Sequence, residues 1–317
     1  MSPIGKVALL LAALLMTACR TPSGTPTPTV EPPPVPEGAK VVAAAGDIAC
    51  EPSDSDFDGG DPNQCQSRAT ADLLADADAV LPLGDLQYSD GKLEAFDQSY
   101  DATWGRFAAE SYPVPGNHDY HVAGAAGYYD YWASKDRPIG SGRSGYYSWD
   151  LGSWHLIALN SNCDDVPCLD GSPQNDFLEQ DIASTTQPCV LAYWHHPLFN
   201  SGETHGDSTP PGAKAFMEDL FAAGADIIVS GHEHNYQRYG KQDPNGQADP
   251  KGIREFVVGT GGKSHYGLLD EKDPNYEFGD AVDFGVLKLH LGDNSYSWEF
   301  VSVAGSVIDA GGPLPCN

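Results

Sequence analysis

Short apolar runs punctuate the chain, each closed by glycine, proline, asparagine or aspartate: VVAAAGD (41–47), AVLPLGD (79–85), YPVPGNHD (112–119), HLIALNSN (155–162), VLAYWHHP (190–197), DIIVSGHEH (226–234) and EFVVGTGG (255–262). Continuous apolar runs of this length, rich in valine, isoleucine and leucine, predict buried strands. Between several of them lie helical stretches at 67–75, 93–109, 174–182 and 213–223. That alternation predicts an α/β architecture. Residues 283–303 instead alternate apolar and polar positions on either side of 292–294, which predicts a hairpin and makes the sheet system mixed. With no internal repeat and no second linker, residues 39–317 read as one domain.

The polar residues fall where the runs end. Asp47 and Asp85 each follow a glycine, and Asn117, His118 and Asp119 follow Gly116. His195 closes the fifth run, and His232 and His234 follow Gly231. In open α/β sheets ligands bind beyond the carboxyl ends of the strands, and parallel strands place those ends along one edge. Five loops therefore aim carboxylate, amide and imidazole groups at one place, with glycines allowing tight turns and close approach. In a strand His232 and His234 would point to opposite faces, but the chain leaves the strand at Gly231. A single Gly-Asp or His-x-His is weak evidence; five such ends in order carry the inference. Oxygen and imidazole donors without thiolate suit two divalent or trivalent cations in a hydrolytic site.

These five ends, together with the GDxxY spacing that adds Tyr88, resemble the motif series of the calcineurin-like metallophosphoesterases, purple acid phosphatase branch, in its short single-domain form. The resemblance spans about residues 40–303. It implies a four-layer αββα sandwich of two mixed sheets flanked by helices. It also implies an iron(III) site made by Asp47, Asp85, Tyr88 and His234, and a divalent site (zinc, iron or manganese) made by Asp85, Asn117, His195 and His232. His118 and His205 would contact the phosphoryl group or the leaving group, with Asp119 orienting His118. The implied reaction is hydrolysis of phosphate monoesters by a metal-activated hydroxide. A phosphodiesterase acting on nucleotides or phospholipid head groups is the alternative, and a non-catalytic cell-surface binding protein on the same fold is a second. The stretch GTGGKSH (259–265) follows a strand and offers backbone N–H groups to the same pocket or forms a plain turn.

The termini and composition add a setting. Lys6, the apolar run 7–16 and Cys19 read as an export signal over residues 1–18, of the lipoprotein type with Cys19 lipidated, or a plain secretory one cleaved after Ala18. Residues 19–38 are rich in proline and threonine and read as an extended spacer, with folding beginning near Lys40. The protein is expected at the cell surface or outside the cell. Its remaining six cysteines allow fifteen pairings, of which Cys50–Cys65, Cys163–Cys168 and Cys189–Cys316 are the expected set. The formal charge of −28 makes nucleic-acid backbones and anionic membranes poor partners. The resemblance implies a small phosphate ester as ligand, the export signal a lipid anchor at Cys19 as the membrane contact, and a monomer is expected.

Overall fold

A computed structural model of the chain describes residues 30–57, 59–206 and 210–317. The export signal and Cys19 lie outside the described residues. Two sheets make up the frame. In the smaller, β1 (Lys40–Ala45) runs parallel to β2 (Ala79–Pro82) and antiparallel to β10 (Gly285–Leu291), followed by β11 (Ser295–Ser302) and β12 (Val307–Pro315). In the larger, the order is β3 (Tyr147–Leu151), β4 (Trp154–Ala158), β5 (Cys189–Tyr193), β6 (Ile227–Ser230), β8 (Arg254–Val258), β7 (Tyr236–Tyr239) and β9 (Tyr276–Asp280). Strands β4, β5, β6 and β8 are mutually parallel; β3, β7 and β9 close the edges antiparallel. The helices are α1 (Ser67–Ala71), α2 (Leu93–Ala95), α3 (Ala126–Ser134), α4 (Pro173–Ser184) and α5 (Pro211–Ala222).

Side-chain alternation along the larger sheet sorts its residues into two cores. Leu156, Leu191, Val229 and Phe256 face inward and join Val42, Leu287, Leu289 and Phe300 of the smaller sheet. Ile157, Ala192, Trp194 and Ile228 face outward and pack on Leu178 of α4 and Phe216, Met217 and Leu220 of α5. Each fully buried side chain of this size contributes roughly 1.5–3 kcal/mol relative to exposure. Helix α4 starts where Ser172 accepts the Asn175 N–H and Pro173 supplies a pre-set φ. Ala71, Trp132 and Tyr128 bring α1 and α3 into the first core, so helices flank both sheets.

Three expectations change. The run 112–119, with Ser111 before it, forms only single bridges, Ser111 to Val80 and Val114 to Leu83, because Pro113 and Pro115 remove two donors from any ladder. The stretch 93–109 is not one helix but α2 followed by short, wider or tighter turns, with a kink at Phe107. Part of the expected spacer also packs: the Val30 N–H donates to the Val307 carbonyl at 2.9 Å, and Pro33 is buried. The three disulfides pair as anticipated, Cys50–Cys65, Cys163–Cys168 and Cys189–Cys316. Among the described residues no helix is long and apolar enough to cross a membrane.

Candidate metal centre

The polar strand ends belong to both sheets. Asp47 follows β1, and Asp85 and Tyr88 follow β2; His195 follows β5, and His232 and His234 follow β6. Sequence reasoning placed them on one sheet edge, whereas they meet where the matching ends of two stacked sheets face each other. The loops after β1 and β2 continue side by side, with Ile48 N–H donating to the Asp85 carbonyl and Tyr88 N–H to the Ala49 carbonyl. Asp47, Asp85 and His232 all hold positive φ (61°, 50° and 70°), a conformation uncommon for residues with a Cβ. Such backbone strain persists where the surroundings over-determine it, as at sites for ligands. The preceding Gly46 is needed for a different reason than expected: its φ is ordinary, but a Cβ there would lie 3.0 Å from the Leu83 carbonyl oxygen.

The Tyr88 hydroxyl lies 2.9 Å from Asp47 Oδ1, 3.0 Å from Asp85 Oδ2 and 2.9 Å from His234 Nε2. Asp47 Oδ1 and His234 Nε2 are themselves 3.2 Å apart. A phenol has one proton to give, so several electron-rich atoms face each other with too few protons between them. Burial, then the charges of Asp47 and Asp85, push the Tyr88 phenol well above its ordinary value. A cation at this point would remove the conflict.

Beside it, His195 Nδ1 donates to the Leu83 carbonyl at 2.8 Å, which turns Nε2 toward the cluster. That nitrogen lies 3.2 Å from Asn117 Oδ1, 3.2 Å from His232 Nδ1 and 3.5 Å from Asp85 Oδ2. Burial lowers the His195 pKa, but the Asp85 and Asp47 carboxylates outweigh it and lift it to about 9. Burial likewise opposes ionisation of Asp85, yet His195, His118 and His232 hold it well below the usual carboxylate range. His232 goes the other way, pushed down by burial and by His195. Protons thus answer the pair of carboxylates where a cation would otherwise do so. Carboxylate, phenol, amide and imidazole donors fit hard or borderline cations, and Asp85 stands where both groups of ligands could share it.

His118 is at the cluster. Its backbone N–H donates to Asp85 Oδ1 at 2.8 Å, its Nδ1 donates to the Ser89 carbonyl at 2.7 Å, and its ring lies 4.5 Å from that of Tyr88. The expected Asp119–His118 pair is therefore not made, because Ser89 occupies that nitrogen. Asp119 is instead buried and accepts the Gly116 N–H at 2.9 Å, bracing the loop. Burial and the nearby Asp85 charge raise its pKa to about 8. His205 stacks on His232 with ring centroids 4.0 Å apart, and its Nδ1 lies 3.1 Å from Glu233 Oε2.

Several participants escaped sequence reading. Glu233, between the two ligand histidines, is fully buried and accepts the Thr204 and His205 N–H groups as well as Asn200 Nδ2. Ser264 meets His234 Nδ1 at 2.9 Å, and Tyr266 stacks on the His234 ring at 4.1 Å. These two lie in and beside GTGGKSH, whose backbone N–H groups serve other ends: those of Gly259, Gly261 and Lys263 donate to Asn235, Gly46 and Asp47 carbonyls. His196 is the last: Ser161 Oγ accepts its backbone N–H at 3.0 Å and contacts its Nδ1 at 2.8 Å. Burial and the His195 charge push its pKa to about 3, which favours the neutral ring.

A sequence model of the calcineurin-like phosphoesterases matches residues 41–236, more than half of the chain. The chain belongs to this family. Purple acid phosphatase 22 of Arabidopsis thaliana is 28% identical over 214 residues, covering 63% of this chain and 47% of the relative. The purple acid phosphatase PPD1 from yellow lupin seeds superposes with a TM-score of 0.72 at 22% identity, covering 89% of this phosphoesterase and 54% of the lupin chain. GAP50, the anchor in the inner membrane complex of Plasmodium, superposes at 0.63 with 16% identity, covering 88% and 89%. The chain thus spans about half the length of the curated relative and of the lupin enzyme.

Proposed function

We propose that this phosphoesterase hydrolyses phosphate monoesters at a dinuclear centre, iron(III) held by Asp47, Asp85, Tyr88 and His234, and a divalent cation held by Asp85, Asn117, His195 and His232. The observation that carries the reading is the convergence of these side chains from two sheets, with donor atoms 2.9–3.5 Å apart. When bound, the cations supply positive charge to the phosphoryl oxygens and acidify a water.

The protein's own groups do the rest. Ser89 accepts the Nδ1 proton of His118, which fixes the ring and leaves Nε2 as the atom that meets a phosphoryl oxygen. Burial opposes ionisation of Glu233, but hydrogen bonds from His205 and Asn200 keep it below its ordinary pKa, so it accepts from His205 Nδ1. His205 Nε2 is then the atom that delivers a proton to the departing alkoxide. Export, which the three disulfides support, belongs to the same reading, with a lipid anchor at Cys19 and the stretch between it and Val30 as spacer.

Metal analysis of the purified protein, with rates on a panel of mono- and diesters, tests this. Two metals per chain and preference for monoesters support it. Preference for diesters would move it to the diesterase alternative, and a metal-free, inert protein would leave only a binding role.

A further inference from the structure

Resting on the phosphoesterase reading, we infer that the ester's alcohol portion is a small amino or quaternary-ammonium alcohol, received in a cavity beside the metal centre. The cavity measures about 690 Å³ and is lined by Asn117 and His196 at its inner end. Asn117 contacts His195, and the His196 ring lies 4.4 Å from that of His232. A phosphoryl group seated at the cluster therefore has this cavity open on one side, where a leaving group of several heavy atoms fits.

The inner end offers a hydrogen-bonding group. Ser161 engages His196 Nδ1, leaving Nε2 as the ring's remaining polar atom in the cavity lining. Tyr120, Leu169 and the prolines that begin α5 give the walls apolar surface for methylene or methyl groups. The mouth is acidic: Asp164, Asp165 and Asp170 line it, and among the described residues no lysine or arginine does. All three are exposed and none forms a salt bridge among the described residues. The loop that carries the first two is closed by Cys163–Cys168, and Gly212 in the first turn of α5 lacks the Cβ that would strike both sulfurs. A rim held in place before binding loses less on ordering. Each exposed carboxylate acts weakly alone, but all three act on one ligand charge, attracting a cation and repelling an anion.

Rates of the metal-loaded protein on phosphocholine, phosphoethanolamine, glycerol phosphate and 3-phosphoglycerate test the inference. The expected order of kcat/KM is cationic, then neutral, then anionic alcohol, with about tenfold or more between the extremes at low salt and less at high salt. The D164N/D165N/D170N variant should compress that ratio severalfold, and D170K, a single surface change that shifts the rim charge by less, should compress it by a smaller factor. Hydrolysis of all four without this order, or an order that neither variant alters, overturns the inference and leaves the phosphatase reading standing. No hydrolysis of any of the four would overturn both.

Discussion

The Tyr88 hydroxyl stands 2.9 Å from Asp47 Oδ1, with both side chains buried. As a phenol it donates to the carboxylate; beside a trivalent cation it would give up that proton and become a ligand. Iron(III)-loaded protein should then show a visible phenolate charge-transfer band, and Tyr88→Phe should abolish it. A colourless, iron-free enzyme of full activity would place the protein outside the purple branch.

His195 and His234 sit in different halves of the cluster, one beside Asn117 and the other beside Tyr88. Asn117→Ala and His195→Ala should each lower bound metal toward one per chain, and the metal lost should be the divalent one. Elemental analysis reads the outcome, and equal loss of both metals would contradict the assignment.

His118 and His205 approach the cluster without being assigned as ligands. His118→Ala should lower kcat by about 10²–10³-fold while both metals remain. His205→Asn should slow esters with poor leaving groups more than those with good ones, because its proposed task is to protonate the departing oxygen. A uniform slowing across leaving groups would assign it to binding.

Glu255 supplies the pH dependence. Its Oε1 accepts the Leu198 and Phe199 N–H groups on the loop leading from His195 to His205, while Oε2 is buried without a partner. Burial raises its pKa from 4.5 to about 8. The unfolded chain releases this proton first, so the folded state loses stability as pH rises from about 4.5 toward about 8. Glu255→Gln keeps the acceptor and removes the titration. Its Tm should match the parent near pH 4 and exceed it by about 5 °C near pH 8, on the order of 2 kcal/mol.

The site was more legible than the frame around it. Asp47, Asp85, Asn117, His195 and His232 announce themselves because each ends a run whose periodicity marks it as buried, and their order is preserved. Glu233, Ser161 and Ser264 act by contacts between segments distant in sequence, which no local pattern records. The aromatic α3 has Tyr128, Tyr129, Tyr131 and Trp132 buried together, so that only Asp130, Ala133 and Ser134 are exposed, a face too narrow to reveal its period. Strand β12 carries Gly-Gly-Pro and still pairs, because it lies at a sheet edge where a missing N–H costs little. Asp119 misled for the opposite reason: adjacency to His118 in sequence suggested a pair that the turn geometry directs elsewhere.

Asp47, Asp85 and Tyr88 ride on the smaller sheet, whereas His195, His232 and His234 ride on the larger. Any ion gripped among them rivets the two halves of the sandwich together. Stripping it with a chelator would free the layers to breathe at that end, so loss of turnover and easier protease cutting would arrive as one event.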